Sequence, residues 1–260
     1  MNEPRKYQFL NRDAVKYLAV FCMFWGHLFA WLIIMQHPDL EEPPYTLMPL
    51  WMRIVTHFSI LCPPMMFFFI ADGYKYTRDR KKYAIRLGIF ALITQPFTWL
   101  VFQRAYGWWQ FNVMFTLLLG LLAIIAWESR LKTWQRAALV ILLTGLSLLL
   151  YADWMIFGVL FILFLHVFRE QPKKRLTAYG ILSLLWLSTR FIGADLHDGG
   201  LWLDVSLDLL MMAAAYCCMT VFYNGKKGSH PVFAKWFFYV FYPAHHLVIW
   251  IVHILMQSRT

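Results

Sequence analysis

The sequence has 260 residues, of which 60% are hydrophobic, 19% aromatic and 15% charged. A soluble domain contains about 45–50% apolar and about 25% charged residues, so this composition excludes an ordinary soluble protein. The apolar residues lie in long runs, which are typical of a polytopic membrane protein. The formal net charge is +10, but the basic residues lie in short loops between these runs, and this pattern argues against nucleic-acid binding.

The apolar runs predict an all-α membrane bundle with about nine spanning helices, and the run boundaries are compatible with eight to ten. The predicted spans are residues 14–35, 50–72, 83–103, 110–127, 134–150, 153–168, 176–193, 204–222 and 234–256. Basic residues are concentrated in alternate loops, which predicts a cytoplasmic N-terminus and, for nine spans, an external C-terminus. The loops are too short for a soluble domain, so residues 1–260 are predicted to form one transmembrane domain.

The first predicted helix carries its ionisable residues on one stripe. Asn11 is the expected N-cap, and Asp13 lies in the first turn, where the helix dipole favours a carboxylate. At 100° per residue, Lys16 and His27 share a stripe, and Asp13 falls within about 40° of it. His27 is roughly 16 Å beyond Lys16 along the axis. Because ionisable side chains are costly in lipid, we predict that this stripe faces the protein interior.

A second pair of histidines, His245 and His246, lies in the last predicted span. His245 is roughly 16 Å from the cytoplasmic end of that span, a depth comparable to that of His27. We expect only one of the two neighbours to face inward, since successive residues point 100° apart. A neutral imidazole can accept a proton from an attacking hydroxyl or amine and later return it. The alternative for such histidines is a structural role, in which they join helices by hydrogen bonds.

The turn after the second span, ADGYKYTRDRKKYAIR, is unusually basic. Such a turn is either a signal for membrane topology or a site for an anionic ligand that carries several phosphates. Arg78, Lys82 and Arg86 recur every four residues, so they would share one face if this stretch is helical. Asp72 lies at the membrane boundary, close to Lys75 in sequence, where it either pairs with a cation or orients a base.

Other polar residues within the apolar runs have simpler interpretations. Asn112 and Thr116 lie four residues apart at the outer end of the fourth span, and polar pairs of this kind usually join helices. The four cysteines lie in apolar runs and match neither metal nor disulfide spacing, so we interpret them as small buried hydrophobic residues. No metal site is expected.

The sequence resembles the TraX-like proteins, which are named after the F-pilin N-acetyltransferase and belong to the wider membrane acyltransferase-3 superfamily. The matching segments, in chain order, are NRDAVKYLAVFCMFWGH, ADGYKYTRDRKKYAIRLGIFALITQPF, QFNVMFTLLLGLLA and YVFYPAHHLVIW. The first span of the superfamily carries a basic residue, ten intervening residues and a histidine, and Lys16 and His27 match this motif. The superfamily most often has arginine at the first of these positions.

The resemblance implies transfer of an acyl group, usually acetyl from cytoplasmic acetyl-CoA, to a hydroxyl or amine of an acceptor at the membrane. It places His27 in the catalytic role, as general base. The expected catalytic set is His27, Lys16, Asp13, His245, His246 and Asp72. The expected CoA-binding set is Arg12, Thr77, Arg78, Arg80, Lys82 and Arg86.

The resemblance does not name the acceptor, because pilin is the substrate of one member and related proteins modify sugars and lipids. A glycan, a lipid or a peptide is therefore expected, and the expected location is the bacterial cytoplasmic membrane. Two other classes of function fit the same residues. One is a small transporter or flippase whose buried histidines relay protons. The other is an assembly factor without chemistry, whose polar residues only join helices.

Overall fold

The computed structural model describes residues 7–36, 48–106 and 110–258, and no strand occurs within these ranges. The elements are α1 (Arg12–Gln36), α2 (Leu50–His57), a 3-10 turn (Phe58–Leu61), α3 (Cys62–Tyr76), α4 (Arg80–Tyr106), α5 (Val113–Trp127), α6 (Thr133–Leu149), α7 (Met155–Val167), α8 (Pro172–Ser188), a second 3-10 turn (Thr189–Phe191), α9 (Gly199–Thr220) and α10 (Pro231–Gln257). The prediction of an all-α fold is therefore confirmed for the described part of the chain.

A helix lies at each of the nine predicted positions when α2, the first 3-10 turn and α3 are counted as one segment. Several of these helices are long and apolar enough to cross a membrane, as expected for a membrane protein: Arg12–Met35, Leu50–Tyr76, Arg80–Val101, Gly199–Thr220 and Val232–Gln257. The helices α5, α6 and α7 are apolar but shorter. With 13 residues, α7 extends about 20 Å, against a hydrocarbon core of about 30 Å. Nine membrane spans and the orientation of the N-terminus therefore stay predictions.

The second segment changes helix type just before a proline pair. Its α-helical hydrogen bonding stops at His57, a 3-10 turn follows, and α-helix resumes at Cys62. Pro63 and Pro64 lack an N–H group, so neither can donate to a carbonyl four residues earlier. The local tightening over the preceding turn follows from these missing donors.

The chain divides into two compact units. The first contains α1, α2, the beginning of α3, α9 and α10, and the second contains the rest of α3, most of α4, the helices α5 to α7 and most of α8. In the first unit, α1 packs against α2, the 3-10 turn and α10. Gly26 makes this close approach feasible, because a Cβ there would lie only 2.7 Å from the carbonyl oxygen of Thr56.

In the second unit, α5 packs against α6 and α7, and the predicted polar pair joins elements of this unit. Asn112 caps α5 by accepting a hydrogen bond from the N–H of Met114 at 3.0 Å. Its amide nitrogen donates to Ala91 O at 2.9 Å and to Gln95 Oε1 at 2.7 Å. Thr116 donates its hydroxyl hydrogen to a main-chain carbonyl in the turn before α7. Both residues therefore have a structural role, as the sequence indicates.

Candidate functional site

The central feature of the first unit is a contact between histidines on α1 and α10. His27 Nδ1 lies 3.3 Å from His245 Nε2. His245 Nδ1 in turn lies 2.5 Å from the carbonyl oxygen of Tyr242, one turn earlier on α10. His245 is 1% exposed. The site is therefore a short hydrogen-bonded chain that links a main-chain carbonyl, His245 and His27.

This chain fixes which nitrogen of each imidazole carries a proton. A carbonyl oxygen can only accept, so His245 Nδ1 is the donor and, in the neutral ring, Nε2 carries the lone pair. His27 Nδ1 faces that lone pair and therefore donates to it. The lone pair of His27 then lies on its Nε2. A general base requires this arrangement, in which one ring nitrogen carries a lone pair and the N–H of the other ring nitrogen is held by a hydrogen bond.

The prediction that only one of the neighbouring histidines faces inward is wrong. His246 is also 1% exposed, and its ring centroid lies 6.4 Å from that of His27, compared with 5.5 Å for His245. The 100° separation applies at Cβ, and the imidazole is long enough for two successive rings to reach the same neighbour from one side of the helix. Of the two, His245 makes the hydrogen bond to His27.

On the ionisable stripe of α1, Lys16 and His27 both contact α10, and both side chains are partly buried. The ammonium of Lys16 lies 5.4 Å from the centroid of the Phe238 ring, a cation–π contact. Phe24 packs edge-on against Phe241 between this contact and the histidines. Lys16 thus contributes to the alignment of α1 with α10, and His27 is placed opposite His245 by the same alignment.

Asp13 and Arg12 lie at the other end of α1 and do not reach His27. Fourteen residues separate Asp13 from His27, about 21 Å along a helix. Asp13 is buried, pairs with Arg12 Nε at 3.0 Å and packs so closely on Gly228 that a Cβ there would lie 2.4 Å from its carboxylate. Arg12 also donates its backbone N–H to the carbonyl of Lys226 at 2.9 Å. Both residues therefore anchor the start of α1.

The expected N-cap of α1 is present, because Asn11 Oδ1 accepts a hydrogen bond from the N–H of Ala14.

Residues 71–76 of the basic turn end α3, and the chain becomes helical again only at Arg80, which separates the cations of the turn. Asp79 accepts a hydrogen bond from the N–H of Lys82 at 2.9 Å and so marks the start of α4. Thr77 and Arg78 lie before it, in the turn. Because Arg78 lies outside the helix, it does not share a helical face with Lys82 and Arg86.

Two guanidinium groups of this turn lie over tyrosine rings of the second unit. Arg80 lies 4.1 Å from the centroid of Tyr74, on α3, and Arg86 lies 5.5 Å from that of Tyr83. Cation–π packing holds an arginine in place while its N–H groups remain able to bind an anion. Asp72, also on α3, pairs with Arg169 Nη2 at 3.6 Å, so it has the cationic partner that the sequence left open.

A second polar cluster, which the sequence did not predict, lies within the first unit. We call Arg53, His57, Arg190, Asp204 and Asp208 the His57 cluster. His57 Nδ1 is 2.6 Å from Asp208 Oδ1, and His57 Nε2 is 2.9 Å from Asp204 Oδ1. Because both ring nitrogens face carboxylates, a doubly protonated His57 can donate to both. Unlike His27, such a ring has no lone pair to offer as a base.

Two arginines complete the His57 cluster. Arg53 donates to Asp204 Oδ1 and to the carbonyl of Gly200, each at 2.6 Å. Arg190 donates through Nε at 3.1 Å and Nη2 at 2.9 Å to Asp208 Oδ2. The cluster therefore joins α2, the turn after α8 and α9 through charge-assisted hydrogen bonds.

The sequence contained a signal for this cluster. Arg53 and His57 are four residues apart in one predicted span, and Asp204 and Asp208 are four apart in another. Each pair therefore lies on one helical face, and ionisable residues within membrane spans usually mark an internal polar site. What the sequence could not show is that the two faces meet.

Comparisons with known proteins match this chain to one family and to one curated relative. The TraX protein family model matches residues 11–253. A curated relative, the probable fimbrial assembly protein FimC, serogroup H1, of Dichelobacter nodosus, is 34% identical over 199 residues, which cover 70% of this chain and 75% of that protein. No solved structure matches the chain significantly. Because the family model covers His27 and His245 and nearly the whole sequence, this chain belongs to the TraX family.

Proposed function

We propose that this protein is an integral membrane acyltransferase that transfers an acetyl group from acetyl-CoA to a pilin or another surface acceptor, with His27 as general base. The observation that carries the proposal is the hydrogen-bonded chain from Tyr242 O through His245 to His27. It leaves the Nε2 lone pair of His27 for the proton of an acceptor. The membrane acyltransferase-3 superfamily, which the motif of Lys16 and His27 resembles, performs chemistry of this kind.

In the proposed reaction, an acceptor hydroxyl or amine attacks the carbonyl carbon of the acetyl thioester. His27 Nε2 takes the acceptor's proton as the new ester or amide bond forms. The carbon–sulfur bond breaks, and the proton on His27 passes to the departing CoA thiolate. While His27 is protonated, its Nδ1–H still donates to His245, so the polarised chain to the Tyr242 carbonyl stabilises the positive charge.

The donor side of the proposal is the basic turn. CoA carries a diphosphate and a 3′-phosphate, and fixed arginines suit these groups because a guanidinium can bond two oxygens at once. Arg80 and Arg86 are held over tyrosine rings, while Arg78 is exposed in the turn. With the basic loops on the cytoplasmic side, this surface would meet acetyl-CoA in the cytoplasm of a bacterium, at its inner membrane.

The names of similar proteins support a pilin as the acceptor. The TraX-like proteins, which the sequence resembles, are named after a pilin acetyltransferase, and the relative in Dichelobacter nodosus is described as a probable fimbrial assembly protein. Both point to a subunit of a surface fibre. The acetylated group is then an amine or a hydroxyl of a pilin, since these are the nucleophiles from which a neutral imidazole can take a proton.

Mass spectrometry of surface proteins, lipids and glycans tests the proposed function. We expect one class, the pilin subunit, to carry an acetyl group in cells with the wild-type chain and to lack it in cells without the chain. Cells with His27→Ala, checked for normal membrane insertion, should match the cells without the chain. Fibres that lose assembly while pilin mass stays unchanged would instead favour an assembly factor, and altered solute flux would favour a transporter.

A further inference from the structure

A cavity in the second unit is lined by charged side chains to which the proposed function gives no role. It has a volume of about 280 Å³ and lies between α3 and the turn that joins α7 to α8. Pockets for drug-sized ligands begin at about 300 Å³, so this cavity suits a group such as a phosphate or diphosphate rather than a whole cofactor. Its charged lining consists of Asp72, Lys75, Arg169, Glu170 and Arg175.

The cations of this cavity form only long ion pairs with the carboxylates beside them. Arg169 Nη2 is 3.6 Å from Asp72 and its Nε is 3.3 Å from Glu170, distances longer than those of a strong charge-assisted hydrogen bond. Neither ion pair uses Arg169 Nη1. Lys75 is 3.8 Å from Glu170, whose side chain is 79% exposed. Glu170 therefore lies near the mouth of the cavity, where solvent screens it and an incoming anion can displace it.

Arg175 supplies the observation that points to a ligand. It donates through Nη1 to the carbonyl of Arg169 at 3.2 Å, but its Nε is buried and has no hydrogen-bond partner among the described residues. A buried charged donor without a partner is costly, and a phosphate oxygen would satisfy it. The three cations outnumber the two carboxylates of the lining, so the cavity also favours an anion by charge.

The cavity adjoins the basic turn through α3. Arg80, which begins α4, lies over the ring of Tyr74, and Tyr74 immediately precedes Lys75. The same ring contacts His166 near the end of α7 at 5.0 Å between centroids. Cations from the turn and from the cavity therefore lie at the same end of the second unit.

We infer that this cavity binds a phosphate group of the acyl-CoA donor, with Arg169, Arg175 and Lys75 as its ligands. The inference rests on the proposed function for the identity of the donor and adds a second set of phosphate contacts to those of the basic turn. The headgroup phosphate of an anionic lipid has the same chemistry and is the competing source of the ligand.

Direct binding of CoA to the purified protein tests this inference. Calorimetry in nanodiscs of phosphatidylcholine compares the wild type with Arg175→Gln and Lys75→Gln. The control is Lys174→Gln, which removes the same charge from the same turn of α8 at an exposed position outside the cavity. We expect Arg175→Gln to raise the Kd for CoA about ten- to a hundredfold, as for the loss of one charged hydrogen bond, with Lys174→Gln unchanged and Arg175→Lys intermediate.

Four outcomes would overturn the inference. Equal weakening by Arg175→Gln and Lys174→Gln would show a general charge effect. Unchanged CoA binding by both Arg175→Gln and Lys75→Gln, with weaker binding by Arg78→Gln, would restrict the donor site to the basic turn. If CoA and added phosphatidylglycerol still compete in the Arg175→Gln variant, the cavity binds neither ligand. If Arg175→Gln loses phosphatidylglycerol binding but binds CoA normally, the cavity is a lipid site.

The binding assay also separates this inference from the proposed function. His27→Ala should bind CoA as the wild type does, since the proposed role of His27 is to take the acceptor's proton and it is not one of the proposed phosphate ligands. Tight CoA binding without any acetyl transfer in the wild type would refute the proposed function and leave the cavity assignment standing. Acetyl transfer by the wild type, with a CoA affinity that Arg175→Gln does not change, would support the proposed function and refute the cavity assignment.

Discussion

Replacement of His27 by alanine is expected to lower the rate of acetyl transfer by a factor of about 10² to 10⁴, the usual loss when a general base is removed. The measurement is release of the CoA thiol by purified protein at saturating acetyl-CoA and acceptor. The matched control is His197→Ala, which removes an exposed histidine from the loop before α9. Wild-type turnover in a correctly inserted His27→Ala variant would refute His27 as the base.

The same assay distinguishes the two histidines of α10. His245→Ala removes the acceptor for His27 Nδ1–H, so the tautomer of His27 is no longer fixed, and kcat should fall with little change in KM. His246 lies beside the chain of hydrogen bonds without forming the link to His27, so His246→Ala should have the smaller effect. A larger loss for His246→Ala would assign the relay to the other ring.

The second large effect is expected for stability, at the His57 cluster. Asp208 is fully buried and accepts hydrogen bonds from His57 and Arg190. Asp208→Ala removes the carboxylate that faces Nδ1 of the buried His57 and that pairs with the partly exposed Arg190. Removal of one partner from a buried ion pair costs about 3–5 kcal/mol in the free energy of unfolding. The loss should appear as a lower midpoint of thermal unfolding in detergent.

The control for this measurement is Asp195→Ala, an exposed carboxylate in the loop before α9. Exposed substitutions usually change the free energy of unfolding by less than about 0.5 kcal/mol. Asp208→Asn should be intermediate, because an amide oxygen can still accept a hydrogen bond but carries no charge. Equal stability of Asp208→Ala and Asp195→Ala would show that the cluster does not hold α2 and α9 together.

Local features of the fold were predictable from the sequence where they depend on neighbouring residues. The N-cap of α1, the inward stripe of Lys16 and His27, and the interruption near Pro63 and Pro64 all follow from helical periodicity or from a missing donor. The orientation of the chain and the number of true membrane spans do not follow from such local rules. Several helices are shorter than the membrane core, so their length alone does not decide whether they cross it.

The parts of the site that were missed depend on long-range packing or on a single capping residue. Arg78 leaves the expected helical face because Asp79 starts α4 after it. The His57 cluster forms because α2 and α9 bring together residues about 150 positions apart in sequence, as the contact between His57 and Asp208 shows. No periodicity within one helix encodes which distant helix lies opposite.

Reconstituted transfer is the most direct test of the central claim, that this TraX-family chain is an acetyl-CoA-dependent enzyme with His27 as its base. Purified wild-type protein in nanodiscs would be incubated with acetyl-CoA and pilin, and both thiol release and the intact mass of pilin would be followed. The prediction is one acetyl group gained by pilin for each CoA released, with both products formed about 10² to 10⁴ times more slowly by His27→Ala. Full pilin acetylation by His27→Ala, or no transfer by wild-type protein that binds CoA and pilin, would contradict it.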